Sequence, residues 1–401
     1  MKKLVSDLAV KGKKVIVRVD FNVPLKDGVI NDDNRIVQAL PTIQYLKKNG
    51  AKIILMSHLG KVDHKVPENT AKDMKKNDMK YVFPRLKELL GGNVFYCAAT
   101  KGAELSQAVE SLKDGEVLLV QNTRYEKGEE KNDPVLAAEW AKLAEAFVMD
   151  AFGSAHRAHA STYGIPELLN KEGKETAIGF LVEKEVLALT KCVEAKDHPY
   201  IAVLGGVKVS DKIKVIEGLL KKADKILIGG AMAYTFLKSQ GVKVGRSLVE
   251  DASLEIADKF LKEANGKIIL PVDYRVTDSF SAPTYAKVVT KIADDVEADD
   301  IGDETIKLFA KEMQGAKVIF WNGPMGVFEN PLLAVGTEGV CKAISQVKGA
   351  FSVIGGGDSA SAAAQLGYKD KFSHVSTGGG ASLEMVENDG HLPGIDVIQD
   401  K

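Results

Sequence analysis

The side chains best suited to chemistry in this chain sit in short stretches that directly follow apolar, β-branched runs. The fullest example opens with Phe351-Ser352-Val353-Ile354, continues through Gly355-Gly356-Gly357-Asp358-Ser359, and passes into an alanine-rich segment. Strand, glycine turn and helix N-terminus together present unpaired N–H groups and a positive dipole end to an anion. Glycine lets that backbone approach phosphate oxygens closely, and Asp358 is a hard oxygen ligand suited to Mg²⁺. Taken alone, the stretch reads equally well as a capped helix after a flexible turn. Recurrence decides between the readings. Gly205-Gly206-Val207-Lys208 through Lys212 follows one apolar run, Gly229-Gly230-Ala231 another, and Asn322-Gly323-Pro324-Met325-Gly326-Val327-Phe328-Glu329 a third. Ser376-Thr377-Gly378-Gly379-Gly380 adds a fifth glycine-rich turn. Five such turns on one rim predict a nucleotide cleft with backbone-lined phosphate sites. Lys208 and Lys212, four apart, are expected to share a helix face and reach phosphate oxygens as point charges.

The first half carries different rim chemistry. Arg18, Asp20 and Asn22 follow one strand-like run, and Ser57-His58-Leu59-Gly60-Lys61 follows the next. Asn122 and Arg124 come after a third, and Asp150 to His159, with His156 and Arg157, after a fourth. Only seven of the 54 basic residues are Arg (Arg18, Arg35, Arg85, Arg124, Arg157, Arg246 and Arg275), and five lie before residue 160. A chain that prefers Lys so strongly keeps Arg where a planar fork is needed for carboxylate or phosphate. This rim therefore reads as a pocket for an anionic substrate. His156 and His159 are spaced as metal ligands, but no third His or Cys lies near them in sequence.

Alternating elements must position these residues. In the first half, strands are expected at Lys14–Val19, Ile53–Met56, Val94–Tyr96, Val117–Val120 and Phe147–Met149. Helices are expected at Asn34–Lys48, Phe83–Leu90 and Pro134–Ala146, with the charged stretch Asp63–Lys80 as a solvated excursion. In the second half, strands are expected at Tyr200–Leu204, Ile226–Ile228, Val318–Trp321 and Phe351–Ile354. Such a series makes parallel sheets covered by helices, with ligands just beyond the carboxyl ends of the strands. Glu183–Lys196 reads as one long connecting helix at the midpoint. At 401 residues the chain calls for two domains. A net charge of −1 gives no support for nucleic acid as a partner. No apolar run approaches membrane-spanning length, no apolar signal segment stands at the N-terminus, and three isolated cysteines suggest a reducing, cytoplasmic setting.

Gly355 to Ala360 formally fits a dinucleotide fingerprint, which keeps a nicotinamide-dependent dehydrogenase in view. An Asp inside the turn would repel a bare pyrophosphate, and no acidic residue ends a strand some twenty residues on. Walker and protein-kinase signatures are missing, so a phosphotransferase of another design fits best, with a non-catalytic nucleotide-binding module as the other alternative.

The segments Arg18 to Pro24, Ser57 to Gly60, Asp150 to His159, Gly205 to Lys212, Trp321 to Glu329, Gly355 to Asp358 and Ser376 to Ser382 resemble phosphoglycerate kinase, in order and spacing. The resemblance implies an α/β fold of two Rossmann-like domains, each a parallel β-sheet covered by helices, joined by a long hinge helix. It implies a phosphoglycerate-binding domain at 1–172, a linker and hinge helix at 173–196, and a nucleotide-binding domain at 197–390. The tail 391–401 would pack back on the first domain, and the domains would close on their substrates by hinge bending. The activity implied is reversible phosphoryl transfer between 1,3-bisphosphoglycerate and ADP, with Mg²⁺, in a cytoplasmic monomer. Asp20, Asn22, Arg35, His58, Lys61, Arg124 and Arg157 fall on substrate-binding positions. Gly206, Lys208, Lys212, Gly230, Asn322, Pro324, Gly326, Val327, Glu329, Gly356, Gly357, Asp358 and Ser359 fall on nucleotide-binding positions, with Asp358 at the metal and Glu329 at the ribose. Arg35, Lys212 and Gly379 match the groups that steady the phosphoryl group in flight. Lys61 stands where the family usually has Arg, keeping the charge without the fork, and Ala231 replaces the third glycine of a common triplet.

Overall fold

Near-continuous runs of Val, Ile and Leu become strands covered on both faces, as a parallel sheet requires. The computed structural model describes Met1–Lys401 and divides into one unit of Met1–Val186 with His391–Lys401 and a second of Leu187–Gly390. In the first unit, β1 (Lys14–Val19) is followed by a small antiparallel hairpin of β2 (Leu25–Lys26) and β3 (Val29–Ile30). Then come β4 (Lys52–Met56), β5 (Val94–Cys97), β6 (Val117–Val120), β7 (Ala146–Asp150) and β8 (Glu175–Ile178). Apart from the hairpin these form a six-stranded parallel sheet in the order β5-β6-β4-β1-β7-β8. Val15, Val17 and Val19 on β1 join Ile53 and Leu55 on β4 and Val148 on β7 in one core cluster. A full side-chain burial of this kind contributes roughly 1.5–3 kcal/mol, which fixes the central position of β1. Arg18 is the exception on that strand, only 1% exposed. A buried guanidinium needs partners, and its partners lie in the site described below.

Several sequence expectations change. The helix begun at Pro134 ends at Ala141, so Ala146 opens β7 instead of closing a helix. Within the charged excursion Asp63–Lys80, Pro67–Lys76 is helical yet buries no residue, because it carries no apolar stripe to dock. The segment Glu175–Ile178, placed in the linker from sequence, pairs with β7 as an edge strand. The tail lies in the first unit: Asp400 bridges Lys2, the Lys3 N–H donates to the Gln399 carbonyl at 2.8 Å, and Asn170 Nδ2 donates to the Val397 carbonyl at 2.7 Å.

The second unit contains β9 (Tyr200–Leu204), β10 (Lys225–Ile228) and β11 (Ile268–Ile269). Next come β12 (Tyr274–Thr277), β13 (Lys287–Val289), β14 (Glu297–Ile301), β15 (Val318–Asn322), β16 (Phe351–Ile354) and β17 (His374–Val375). Its parallel sheet runs β11-β10-β9-β15-β16-β17, and β13-β12-β14 form a separate antiparallel sheet that the sequence reading lacked. Trp321 on β15 stacks on Phe372 at 5.8 Å inside the main core of this unit. No helix is long and apolar enough to cross a membrane.

The long helix runs from Phe180 to Glu194, earlier at both ends than expected. Its start is tied to the end of β7. Asp150 Oδ1 accepts from the N–H groups of Leu181 and Val182 at 3.0 and 3.3 Å, the negative end of a carboxyl meeting a helix N-terminus. Gly179 is required there, since a Cβ would lie 2.2 Å from that same oxygen. Tyr45 and Phe180 meet edge to face at 5.4 Å, and Thr42 Oγ1 accepts from the Phe180 N–H, so the helix Asn34–Lys48 is anchored to the same point.

Burial pushes the Asp150 carboxyl up to about 7, against the pull of its Thr42, Val182 and Leu181 hydrogen bonds. A pKa raised on folding favours the native state fully only below the unfolded value of about 4, and that contribution is lost as pH rises through about 7. Asp150→Asn keeps the Oδ1 acceptor and is neutral throughout. Its urea midpoint is therefore expected to gain on the wild type between about pH 5 and about pH 8. A difference that does not change with pH contradicts this account of Asp150.

Candidate active site

The carboxyl ends of β1, β4, β6 and β7 deliver the first set of functional side chains to one edge of the first sheet. Asn122, fully buried, orients two of these loops at once. Its Oδ1 accepts from the N–H groups of Leu59 and Arg124, and its Nδ2 donates to the carbonyls of Leu59 and Asn77. Gly60 is clamped between predicted site residues: its N–H donates to Asn22 Oδ1 at 2.8 Å, and its carbonyl accepts from Arg124 Nη1 at 2.6 Å. Only glycine serves, because φ is +59° and a Cβ would lie 2.3 Å from Asn77 Oδ1.

Asp20 Oδ2 accepts from Arg35 Nη1 at 2.6 Å, so the first turn of the helix Asn34–Lys48 brings Arg35 to the end of β1. Burial alone would raise the Asp20 carboxyl. Arg35, His58 and Arg18, with the Asn22 N–H, outweigh it and hold the carboxyl below its usual range. His58 Nδ1 lies 3.1 Å from Arg18 Nη2. A guanidinium has no acceptor, so Nδ1 must accept, which leaves the imidazole proton on Nε2. Burial, then the Arg18 charge, drives the His58 pKa well below its ordinary value, and the ring stands as a neutral N–H donor. Arg18, on the rim but outside the substrate-binding positions that the resemblance implies, organises this edge: its Nε donates to Ser161 Oγ at 2.8 Å, and Ser161 donates in turn to Glu129 at 2.7 Å. Lys61 and Arg157 remain exposed at the same loops. His156 and His159 do not make a metal centre, since no three His, Cys, Asp or Glu side chains converge anywhere in the chain. Burial followed by the charge of Arg157 lowers His156 to about 4, so it too is neutral.

In the second unit the glycine turns after β9, β15, β16 and β17 line one cleft of about 760 Å³. Gly205 makes it possible. A Cβ at Gly205 would lie 2.0 Å from the Pro324 carbonyl oxygen and 2.6 Å from that of Gly323. The backbones therefore touch, and the N–H groups of Gly205 and Gly206 donate to the carbonyls of Asn322 and Pro324. Gly323, at φ +94°, donates its N–H to Ser359 Oγ. Asn322, buried at the end of β15, accepts from Lys212 Nζ and donates to the Gly355 carbonyl. Burial lowers Lys212 to about 8, opposed by Asp211, Asp358 and Glu387. Two nine-residue helices, Gly357–Gln365 and Gly379–Glu387, begin at this cleft with glycine, so their first N–H groups and dipoles are available to an anion. Asp358 is exposed in the first turn of the former.

Gly206, Lys212, Asn322, Pro324, Gly326, Val327, Glu329, Gly356, Gly357, Asp358, Ser359 and Gly379 all line the cleft. Gly230 and Lys208 do not. Gly230 supports the wall from behind, its N–H donating to the Met325 carbonyl at 3.1 Å. Lys208 is exposed, and it does not share a helix face with Lys212: Ser210–Lys212 is a 3₁₀ turn, and the helix starts only at Ile213. Arg246, Leu248, Phe280, Glu297 and Asp299 also line the cleft and were missed. They lie on or beside the antiparallel sheet, where the only sequence signal was a mixed, aperiodic stretch. The donor set suits a hard divalent cation held by one carboxylate and by phosphate oxygens, which needs no all-protein cage.

Residues 5–389 match the family model described as phosphoglycerate kinase. The chain is 54% identical to the phosphoglycerate kinase of Enterococcus faecalis and 52% identical to that of Spiroplasma citri. Each alignment covers 100% of this chain, with 100% and 99% of those proteins respectively. The solved structure of phosphoglycerate kinase from Coxiella burnetii superposes with a TM-score of 0.87 at 37% identity, covering 99% of this chain and 98% of that one. Geometry and likeness agree, and the chain belongs to the phosphoglycerate kinase family, whose members transfer a phosphoryl group between 1,3-bisphosphoglycerate and ADP.

Proposed function

We propose that the two sets of side chains divide the reaction between them. The edge built from Asp20, Asn22, Arg35, His58, Lys61, Arg124 and Arg157 binds the phosphoglycerate. The cleft built on Gly206, Lys212, Asn322, Pro324, Gly326, Val327, Glu329 and Gly356 to Ser359 binds ADP or ATP. The observation that carries the reading is the pair of helix N-termini at Gly357 and Gly379, which open with glycine on one cleft of about 760 Å³ whose wall is closed by the Gly205 contact.

Each group then has a physical task. Neutral His58 donates through Nε2 without adding charge, while Arg124, Arg157 and Lys61 supply the charge that holds a carboxylate and a phosphate. Arg35, held at its place by Asp20, and Lys212, bonded to Asn322, are each read as a charge that steadies the phosphoryl group. Glu329 accepts from the ribose hydroxyls. Gly379 offers its N–H at a helix N-terminus, a preorganised donor that needs no reorientation as charge develops. Asp358 would hold Mg²⁺, which supplies charge neutralisation to the phosphate oxygens when bound. Lys208 is left with long-range attraction only. The enzyme is read as a cytoplasmic monomer, since transfer between two small molecules requires no second copy.

The test is ADP release from ATP with and without 3-phosphoglycerate and Mg²⁺. Turnover that needs both is expected, and EDTA is expected to abolish it; ATP hydrolysis indifferent to the acceptor contradicts the reading. Arg35→Ala is expected to lower kcat by roughly 10²–10⁴-fold, as removal of a charge stabiliser does elsewhere. An unchanged kcat with a raised KM would make Arg35 a binding residue only.

A further inference from the structure

Glu129 is fully buried and belongs to neither set of binding residues. It lies between β6 and the helix Pro134–Ala141, and it turns every acceptor it has toward two residues that follow β7. The Ala160 N–H donates to its carbonyl at 2.8 Å, the Ser161 N–H to Oε1 at 2.8 Å and the Ser161 hydroxyl to Oε2 at 2.7 Å. Both carboxyl oxygens thus face donors. A carboxylate accepts at both atoms, whereas a carboxamide has one acceptor only. A tie between the two loops alone would be served by the Ala160 bond, which the main chain of any residue provides.

The bonds that lead away from Glu129 have one polarity. Arg18 has donors only, so the Ser161 oxygen accepts from its Nε and the single Ser161 proton goes to Glu129. On the other edge of the guanidinium Nη1 donates to the Val19 carbonyl, which aims Nη2 at His58 Nδ1. Arg18 is as buried as Glu129, and a buried cation needs a counter-charge. Burial lowers the Arg18 pKa, while the charge of Glu129, then that of Asp20, opposes it. At the far end His58 is 7% exposed. Its Nε2 has no partner in the fold and is not among the buried polar atoms left unpaired, so the Nε2–H meets solvent.

We propose that Glu129 is a positioning residue for the phosphoglycerate: acting through Ser161 and Arg18, its carboxylate fixes the ring and the tautomer of His58 and so presents the Nε2–H to the substrate. The inference rests on the reading of His58 as a substrate-binding residue. With glutamine at 129 an amide N–H group faces the Ser161 hydroxyl, whose proton then loses its acceptor. Arg18 loses its nearest counter-charge and its hold at Nε. His58 Nδ1 is left without a fixed donor. The charged groups that face His58, namely Arg18, Asp20, Arg124 and Arg35, are unchanged in identity by that substitution.

The test combines nitrogen NMR of the imidazole rings at about pH 7 with steady-state kinetics in wild type, Glu129→Gln, Ser161→Ala and His58→Ala. The His58 resonances are identified by their loss in His58→Ala. Wild type is expected to show a neutral ring protonated at Nε2, with Nδ1 hydrogen-bonded. In Glu129→Gln the Nδ1 resonance is expected to move, and KM for 3-phosphoglycerate to rise by roughly tenfold or more, as when a hydrogen bond to a charged group is lost. KM for ATP and kcat are expected to change little, because the lost interaction binds ground state and transition state alike. Ser161→Ala removes only the hydroxyl, is expected to act in the same direction, and serves if the Gln variant does not fold. Added to His58→Ala, Glu129→Gln is expected to have little further effect, since it acts through that ring. Unmoved His58 resonances in a folded variant, equal rises in KM for both substrates, or a fully multiplicative effect in the His58→Ala background overturns the proposal. If His58→Ala itself leaves KM for 3-phosphoglycerate unchanged, the substrate reading of His58 falls and the positioning role with it. If His58→Ala raises that KM while the resonances of the other variants stay in place, only the positioning role falls.

Discussion

The cleft of the second unit depends on two backbones in contact. The turn after β9 meets the turn after β15 at Gly205, where the missing Cβ leaves room for the Pro324 and Gly323 carbonyls. Any side chain larger than hydrogen would separate these turns, because the opposing atoms are backbone and cannot rotate away. With the turns locked together, Asn322 sits where it bridges Lys212 and the Gly355 carbonyl, and Ser359 caps the Gly323 N–H. The part of the cleft wall at these turns is thus main chain, fixed by its own hydrogen bonds. Preorganised donors of this kind need no reorganisation when charge develops on a phosphoryl group.

The edge of the first unit is built differently. Three of its Arg side chains are oriented by hydrogen bonds to the fold: Arg35 by Asp20, Arg124 by the Gly60 carbonyl, Arg18 by Ser161. Crowding these charges has a consequence for the histidines. Burial first, and then the guanidiniums beside them, hold His58 and His156 neutral. His58 then contributes direction and not charge.

Much of this was legible in the sequence because it depends on local chemistry. A strand followed by glycines and a helix is written in neighbouring residues, and Phe351 to Ser359 forms that arrangement in the structure. The scarcity of Arg pointed to the first-unit edge for the same reason. What escaped depends on contacts distant in sequence. Arg18 could be placed at the rim, but its chain to Glu129 through Ser161 joins residues over a hundred positions apart. β12, β13 and β14 are short and mixed in polarity, so no period marked them, and Asp299 went unnoticed with them. Lys208 and Lys212 misled through spacing: a four-residue interval means one face only inside an α-helix, and here a 3₁₀ turn intervenes.

The central claim is that nucleotide phosphates are held by main chain brought together at Gly205, more than by any single charged side chain. Calorimetric titration of ADP into Gly205→Ala tests it most directly, with circular dichroism to confirm that the protein is folded. The account predicts a folded but less stable variant that binds ADP roughly tenfold or more weakly, since a misplaced donor set forfeits on the order of 1.4 kcal/mol or more. An Ala variant with wild-type affinity for ADP would show that the turns need not touch, and would contradict it.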